Sequence, residues 1–585
     1  MASTQAMLAG MTGINTFARN LDVISNNIAN TGTTGFKSSR MLFSNLFSRT
    51  MSEGSGPGDT TGGTNPTQFG YGVRVGGTQR NMNNGPISAT GDSRDLAIDG
   101  GGFFVVSRGA DQFYTRAGAF RPNAIGQLTT PNGELLMGYG VDSNFNVVQG
   151  VLQPVSVPTG SLTIAQATSE VRMSGNLNAA GTLPTQGSRG TLTGTTTAGL
   201  RLIAGANPPA SPGDLIETNS RLIDIEDPAA PLSNNPLFVA GQTLEVKGVE
   251  KGSKTLESAR LDITATTTMQ DLMDFLRQAT GIDPSVGANP DGRTPGVTLD
   301  PVTGTINIVG NTGSVNDLTI DASDLRVLDA SGTFVRSPFV SQKQASADGE
   351  SVRTTYEIYD SLGNPVQVDV TVVLDSKTNS GTNWRYYVES GDSSGIPRQL
   401  ATGTLAFDTS GQLTTTTPIT VDVDRSGTGA ASPLSFTMSF SGDADNVTAL
   451  ADVRSQIAAT YRDGTPLGTL STFEVGQDGT IFGGFSNGLT RTLGQVVLST
   501  FSNPEGLVDL GSGLYRSGAN SGAPQIKAPT SLGAGNLVGG ALEGSNVDLS
   551  EEFIKMILTS TGYSANSRVI RTADELMQQL LVIGR

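Results

Sequence analysis

The chain has 585 residues with 75 Gly, 15% charged residues and 6% aromatics, a multidomain length and a turn-rich profile that suits a β-rich structural or extracellular protein and fits a compact α/β enzyme poorly. The net charge of −16 excludes the basic footprint that nucleic acid or an anionic membrane surface requires. The absence of Cys and His removes thiolate nucleophiles, disulfides, the common zinc sites and any Ser–His–Asp relay, and leaves the redox compartment unread.

The chain opens on MLAGMTGINTFARNLDVISNNIANTGTTGFKSS. Its apolar positions Met7, Met11, Ile14, Ala18, Leu21 and Ile28, with polar Ser25 between the last two, alternate steps of four and three. That is a helical seam of coiled-coil type, and Ile24 covers the polar break. Asn26, Asn27, Asn30 and Gly32 end it. The helix spans about 40 Å at about 1.5 Å per residue. No Lys or Arg precedes Arg19 and the apolar residues are spaced, which is not the pattern of a Sec-type signal peptide. No apolar run is long enough for a membrane-spanning helix.

Residues 33–70, rich in Gly, Ser and Thr, read as an irregular linker. From VRVGG onward, DLAIDGGGFFVVS, QFYTRAGAF, GQLTTPNGELLMGYGV and NVVQGVLQPVSV alternate and are broken by GG, PN and NG turns, the signature of strands. A second such block runs through GTLSTFEVGQDGTIFGGFSNGLTRTLGQVVLSTFSNPEGL. The intervening stretch holds TTYEIYDSLGNPVQVDVTVVLD, NWRYYVES and GTLAFDTSGQLTTTTPITVDVD, and within 190–340 one amphipathic helix, TMQDLMDFLRQATGI.

The chain closes on a second long helix. Asp548 and Glu551 form a capping-box pattern, with Glu552 in the first turn. One stripe runs Leu549, Phe553, Met556, Ser560, Tyr563, Ser567, Ile570, and a second continues through Ala573, Leu576, Leu580 and Ile583. Gly562 costs about 1 kcal/mol relative to Ala, so the helix is expected to be weak or bent there. Each helix alone is too thin to bury its stripe. Two readings stand: a helical hairpin within one molecule, or a pair ordered by packing against further copies.

The fold class read from this pattern is α+β, mainly β: coaxial terminal helices with nested, discontinuous β-rich domains between them. The boundaries are 1–32 with 546–585 for the helical domain, 33–70 for the linker and 71–150 with 465–545 for a β-rich middle domain. An outer β-rich domain takes 151–189 with 341–464, and 190–340 form an additional insertion. No catalytic, cofactor or metal site emerges. Asp422, Asp424, Ser426 and Gly427 begin like an EF-hand loop, but Pro433 stands where its closing Glu belongs. KGSKT lacks the order of a Walker A loop, and GAGNLVGG misses the dinucleotide spacing.

The run LDVISNNIANTGTTGFK resembles the N-terminal signature of the bacterial flagellar rod/hook axial proteins. DLAIDGGGFFVV, YTRAGAF, GQLTTPNGELLMGYG, GQVVLSTFSNPEGL, GALEGSNVDLSEEFIKMI and YSANSRVI follow in that family's order and cover most of residues 1–145 and 465–585. SGNLNA, YDSLGNP, Trp384 and GTLAFDTSGQL resemble the outer domain of its hook-type members. The usual Gln-Arg-x-Tyr of the C-terminal helix reads Ser560-Thr-Gly-Tyr563 here, and the 190–340 block is larger than in compact members.

The resemblance implies a structural, non-enzymatic subunit of a curved helical tube in the flagellar hook and basal body, exported by the flagellar type III apparatus. The tube would be a universal joint passing motor torque to the filament. Implied polymer-interface residues are Met7, Met11, Ile14, Leu21, Ile28, Leu549, Phe553, Met556, Tyr563, Ile570, Leu576 and Leu580. FSNLF (Phe43 and Phe47) resembles the family's export-gate element, and the same two rings also suit ordinary packing. Implied partners are further copies of the chain, rod and hook–filament junction proteins at the tube ends, the hook cap and the export apparatus, with no nucleic acid and no membrane insertion. The alternatives are another axial component, distal rod or junction, and more remotely a secreted β-rich adhesin.

Overall fold

The apolar periodicity at each end matures into a long helix. In the computed structural model α1 spans Ala2–Ala29, a shorter α2 spans Met269–Ala279 and α3 spans Leu549–Ile583. The structure describes residues 2–583 except 195–197, 204–205, 207–213, 231–233, 394–396, 443–445 and 452. Two compact units divide the chain: Met1–Thr163 with Thr469–Arg585, and Ile164–Gly468.

In the first unit α3 starts on Asp548, whose Oδ1 accepts from the backbone N–H of Ser550 (2.8 Å) and Glu551 (3.2 Å), so an orphan donor pair of the first turn is satisfied. α3 runs unbroken through Gly562. A Cβ at Gly562 would stand 2.8 Å from Phe17 Cζ, so the missing side chain is where α1 presses an aromatic ring against the helix.

Residues 33–70 are not an irregular linker. Ser39–Asn45 pairs antiparallel with Val73–Arg80, and Ser48–Ser52 with Thr67–Gly70. Bridges at Ser55–Thr64 and Gly58–Thr61 carry the hairpin outward. The outer strands are exposed throughout. They are held by the backbone ladder and by hydroxyl pairs such as Ser55–Thr64, 2.9 Å apart, so they bury no alternating apolar set that a sequence pattern could display.

The β block of this unit interleaves both halves of the chain. Thr480–Phe485, Thr490–Val496, Leu135–Val141, Phe103–Arg108, Asp111–Thr115, Leu514–Arg516 and Val508–Gly511 lie side by side in that order. N-terminal strands thus sit between C-terminal ones, with register pairs such as Gly138–Val496 and Leu514–Thr115. FFVV of the DGGGFFVV run is wholly buried, and Phe104 meets Phe120 edge-on at 5.2 Å.

The second unit holds two apolar cores. One lies inside a sandwich, between the meander Ser351–Tyr359, Pro365–Thr378, Gly381–Glu389, Gln399–Phe407 and a second sheet that contains Glu170–Asn176 and Leu434–Ser439. Val366, Val368, Val370, Val372 and Leu374 point into it at every second residue, against Trp384 and Phe436, as period-two alternation requires. The other, formed by residues of 190–340, packs α2 through Leu272, Met273, Phe275 and Leu276 on strands around Leu244 and Ile306. Thr268 and Asp271 cap α2 reciprocally.

Tight hairpins share one device. Asp142, Asp329, Asp360 and Asp408 each accept through Oδ1 from the N–H two and four residues on. In YDSLGNP the turn needs Gly363 at φ +81°, a conformation costly for other residues. Burial alone would raise the Asp360 carboxyl, but N–H donors from Asn364 and Leu362 and the Arg425 guanidinium hold it below the usual 3.8. Its contribution is therefore present above that value and is lost as pH falls through the lower folded one.

Because each unit has its own core, Trp384→Ala should cost the second unit about 3–5 kcal/mol. Calorimetry is expected to show one transition moved down and the transition of the first unit in place.

Candidate functional site

The site is the pair of terminal helices and the joint that holds them. α1 and α3 run antiparallel along a contact built from small and polar side chains. A Cβ at Gly10 would lie 2.8 Å from Ile570 Cγ1, Gly13 faces Asn566, and Phe17 covers Gly562. Asn20 Nδ2 donates to Thr559 Oγ1 at 2.9 Å. Buried Asn27 Nδ2 donates to Glu552 Oε2 at 3.1 Å and to the carbonyl of Ser39 at 2.8 Å. Steps of three and four on both helices keep these pairs in one register.

This seam is offset from the expected apolar one. Of the sequence-expected residues, Ile570 lies in the contact against Gly10. Met7, Ile14, Leu21, Ile28 and Met556 are half-buried. Met11 (58%), Leu549, Phe553 (48%), Tyr563, Leu576 and Leu580 (59%) are exposed. Ile554, Ile557, Leu558, Val569 and Leu581 join them. Bulky residues would force the axes apart, so the close contact falls to the glycines and short polar side chains, and the large apolar groups remain outward. Phe43 packs on Phe17 with ring centroids 5.6 Å apart, while Phe47 is 79% exposed and touches Tyr71 at its edge.

The joint is a buried ionic cluster that sequence reading missed. Glu543, wholly buried, takes Lys37 Nζ at 2.7 Å and Arg116 Nη1 at 3.3 Å, and its Oε1 also accepts from Gly85 N at 3.0 Å. Lys37 donates in addition to the Asn83 carbonyl, and Arg116 to the Gly100 carbonyl and Asn84 Oδ1. Arg116 further lies 5.2 Å over the Phe103 ring. Beside the cluster Asn546 accepts from Ser38 N at 2.8 Å and donates to the carbonyls of Asn81 and Asn83. Burial, and then Arg116, push the Lys37 ammonium below its ordinary range, against the pull of Glu543. The three charges come from GFKSS, YTRAGAF and GALEGSN. The signal available in the sequence was that each of these apolar or glycine-rich runs contains one charged residue.

At the EF-hand-like stretch Asp424 Oδ1 accepts from Ser426 N (2.9 Å) and Ser432 Oγ (2.9 Å), closing a turn on itself.

Comparison with known proteins follows the same segments. Residues 7–37 match the family described as Flagella basal body rod protein and 538–582 match Flagellar basal body rod FlgEFG protein C-terminal. Residues 97–179 match Flagellar hook protein FlgE/F/G D1 domain and 328–465 match Flagellar basal body protein FlaE D2 domain. Paired terminal helices, a two-part β block and these matches define a flagellar axial protein. The chain is 28% identical to the flagellar hook protein FlgE of Caulobacter vibrioides over 100% of both chains. It is 26% identical to that of Borreliella burgdorferi, over 99% of each, and 25% identical to that of Salmonella typhimurium, over 98% of each. It belongs to the flagellar hook protein family, a structural component of the bacterial flagellum.

Glu543→Gln strands two buried cations and should cost about 3–5 kcal/mol in urea unfolding. The loss is expected to shrink as pH rises toward 10.5, because removing the upward pull of Glu543 lowers the Lys37 pKa further than in the parent, so the variant sheds this proton, and gains stability with pH, before the parent does.

Proposed function

We propose that this hook subunit polymerises through the outward apolar faces of α1 and α3, with Met11, Phe553, Tyr563, Leu576 and Leu580 at contacts between copies. The observation that carries this reading is the division of labour on α3: small and polar residues meet α1, while Phe553, Ile557, Leu576 and Leu580 stay 48–65% exposed. A contact between different patches on successive copies does not close and grows as a helical tube. In that tube, residues 1–32 with 546–585 serve as the inner wall, 71–150 with 465–545 as the middle shell, and 151–189 with 341–464, plus 190–340, as the outer surface. A tube whose wall is held by helices, and whose outer contacts are weak, bends as it turns and passes motor torque to the filament. Its end partners are rod and hook–filament junction proteins, and growth runs under a cap protein. Phe47, free of any deep packing, is the better placed of the two FSNLF rings to engage the export apparatus.

Burying one leucine contributes about 1.5–3 kcal/mol, and 1.4 kcal/mol is about tenfold in an equilibrium. The double variant Leu576→Ser/Leu580→Ser should therefore raise the critical concentration for assembly about a hundredfold or more, read by sedimentation and electron microscopy, with both unit transitions intact. Assembly at the native concentration would overturn the reading. Phe47→Ala is expected to lower secretion of the subunit from cells while purified protein polymerises as before; normal secretion would remove Phe47 from the export role.

A further inference from the structure

Residues 190–340 have their own apolar core, separate from that of the sandwich they interrupt. An insertion of that kind is commonly free to swing, because few contacts cross its linkers. Here the crossing is built differently. The incoming strand Arg189–Thr193 and the outgoing strand Val340–Ala345 pair antiparallel with each other over their whole length. They are neighbours in a four-stranded sheet of the insertion, in the order Gly296–Asp300, Thr305–Val309, Arg189–Thr193, Val340–Ala345, so the chain enters and leaves the insertion as one paired ribbon and not as two separate strands.

A charged seam lies alongside that ribbon. Lys251 Nζ of the insertion meets Glu389 Oε1 of the sandwich at 2.5 Å, with both side chains buried, and also donates to the Gly281 carbonyl. Lys254 Nζ meets Asp369 at 2.5 Å. Arg353 of the sandwich donates to two main-chain carbonyls of the insertion, Lys251 at 2.7 Å and Val315 at 2.6 Å. Gln399 Nε2 donates to Asp283 Oδ2 at 2.6 Å. Gly281 sits against the Glu389 carboxylate with no room for a Cβ. A buried ion pair adds little net energy, because desolvation offsets attraction, but it tolerates only one geometry. Several such bonds, donated from both sides, must break together for the insertion to tilt.

We infer that the ribbon and this seam clamp residues 190–340 onto the sandwich, so that the two move as one stiff body and the insertion enlarges the subunit without adding a joint. The inference concerns the single chain and stands apart from how copies assemble.

The chain lacks Cys, so Val302→Cys and Lys377→Cys, both exposed, give a clean pair of spin-label sites for distance measurement by pulsed electron paramagnetic resonance. The full chain is expected to show one narrow distance distribution, the same at low and high salt because the seam is buried. A broad or two-peaked distribution overturns the clamp. Adding Glu389→Gln and Lys254→Met, with folding checked by circular dichroism, is expected to broaden the distribution. A variant that stays as narrow as the parent removes the seam from the explanation, and a variant that fails to fold leaves the parent measurement to decide.

Discussion

Glu543 is the point on which the first unit turns. A carboxylate stripped of water is costly, and this one is tolerated because Lys37, Arg116 and Gly85 N surround it. Lys37 follows the end of α1, Arg116 belongs to the β block, and Glu543 precedes α3. One carboxylate therefore fastens the end of α1 and the approach to α3 to the block. Without Glu543 both cations are left buried with no carboxylate beside them, whereas without either cation the carboxylate keeps one charged partner. The cluster is satisfied only when chain ends more than 500 residues apart in sequence are both in place.

From that joint the helices run out as an antiparallel pair whose contact is specific and modest in apolar area. Asn20–Thr559 and Asn27–Glu552 supply register, and Gly10, Gly13 and Gly562 supply close approach. The energy that large apolar groups would release stays unspent in the single chain. Ordering a residue costs about 1–2 kcal/mol of backbone entropy, which a thin two-helix contact scarcely offsets. Further copies covering Phe553, Leu576 and Leu580 would offset it. The molecule is thus a specific hairpin alone, and only under the assembly proposed above do its outward residues become wall contacts.

Much of this was legible in the residue order. The helix limits followed from the four–three apolar steps and from Asp548. The strand-rich outer unit followed from TTYEIYDSLGNPVQVDVTVVLD, and α2 from the amphipathic TMQDLMDFLRQATGI. The outer hairpin, Ser48–Ser52 with Thr67–Gly70, was not legible, since strands exposed throughout bury nothing and so carry no period. Nor was the α1–α3 seam, because glycine and asparagine at helix positions read as weakness until the partner helix is known to press there. At Gly562 the helix runs on unbroken, and Phe17 occupies the space that a side chain would take.

By itself, then, the sequence determined that the ends are helical and the middle β, and which apolar residues each helix must place on a face. Periodicity, caps and turn residues act within a few positions of one another, so linear order carries them. Which face meets which partner was decided only by the tertiary structure. That choice rests on contacts between residues hundreds of positions apart, Lys37 with Glu543, Gly10 with Ile570, Lys251 with Glu389, whose burial and distance no local pattern encodes.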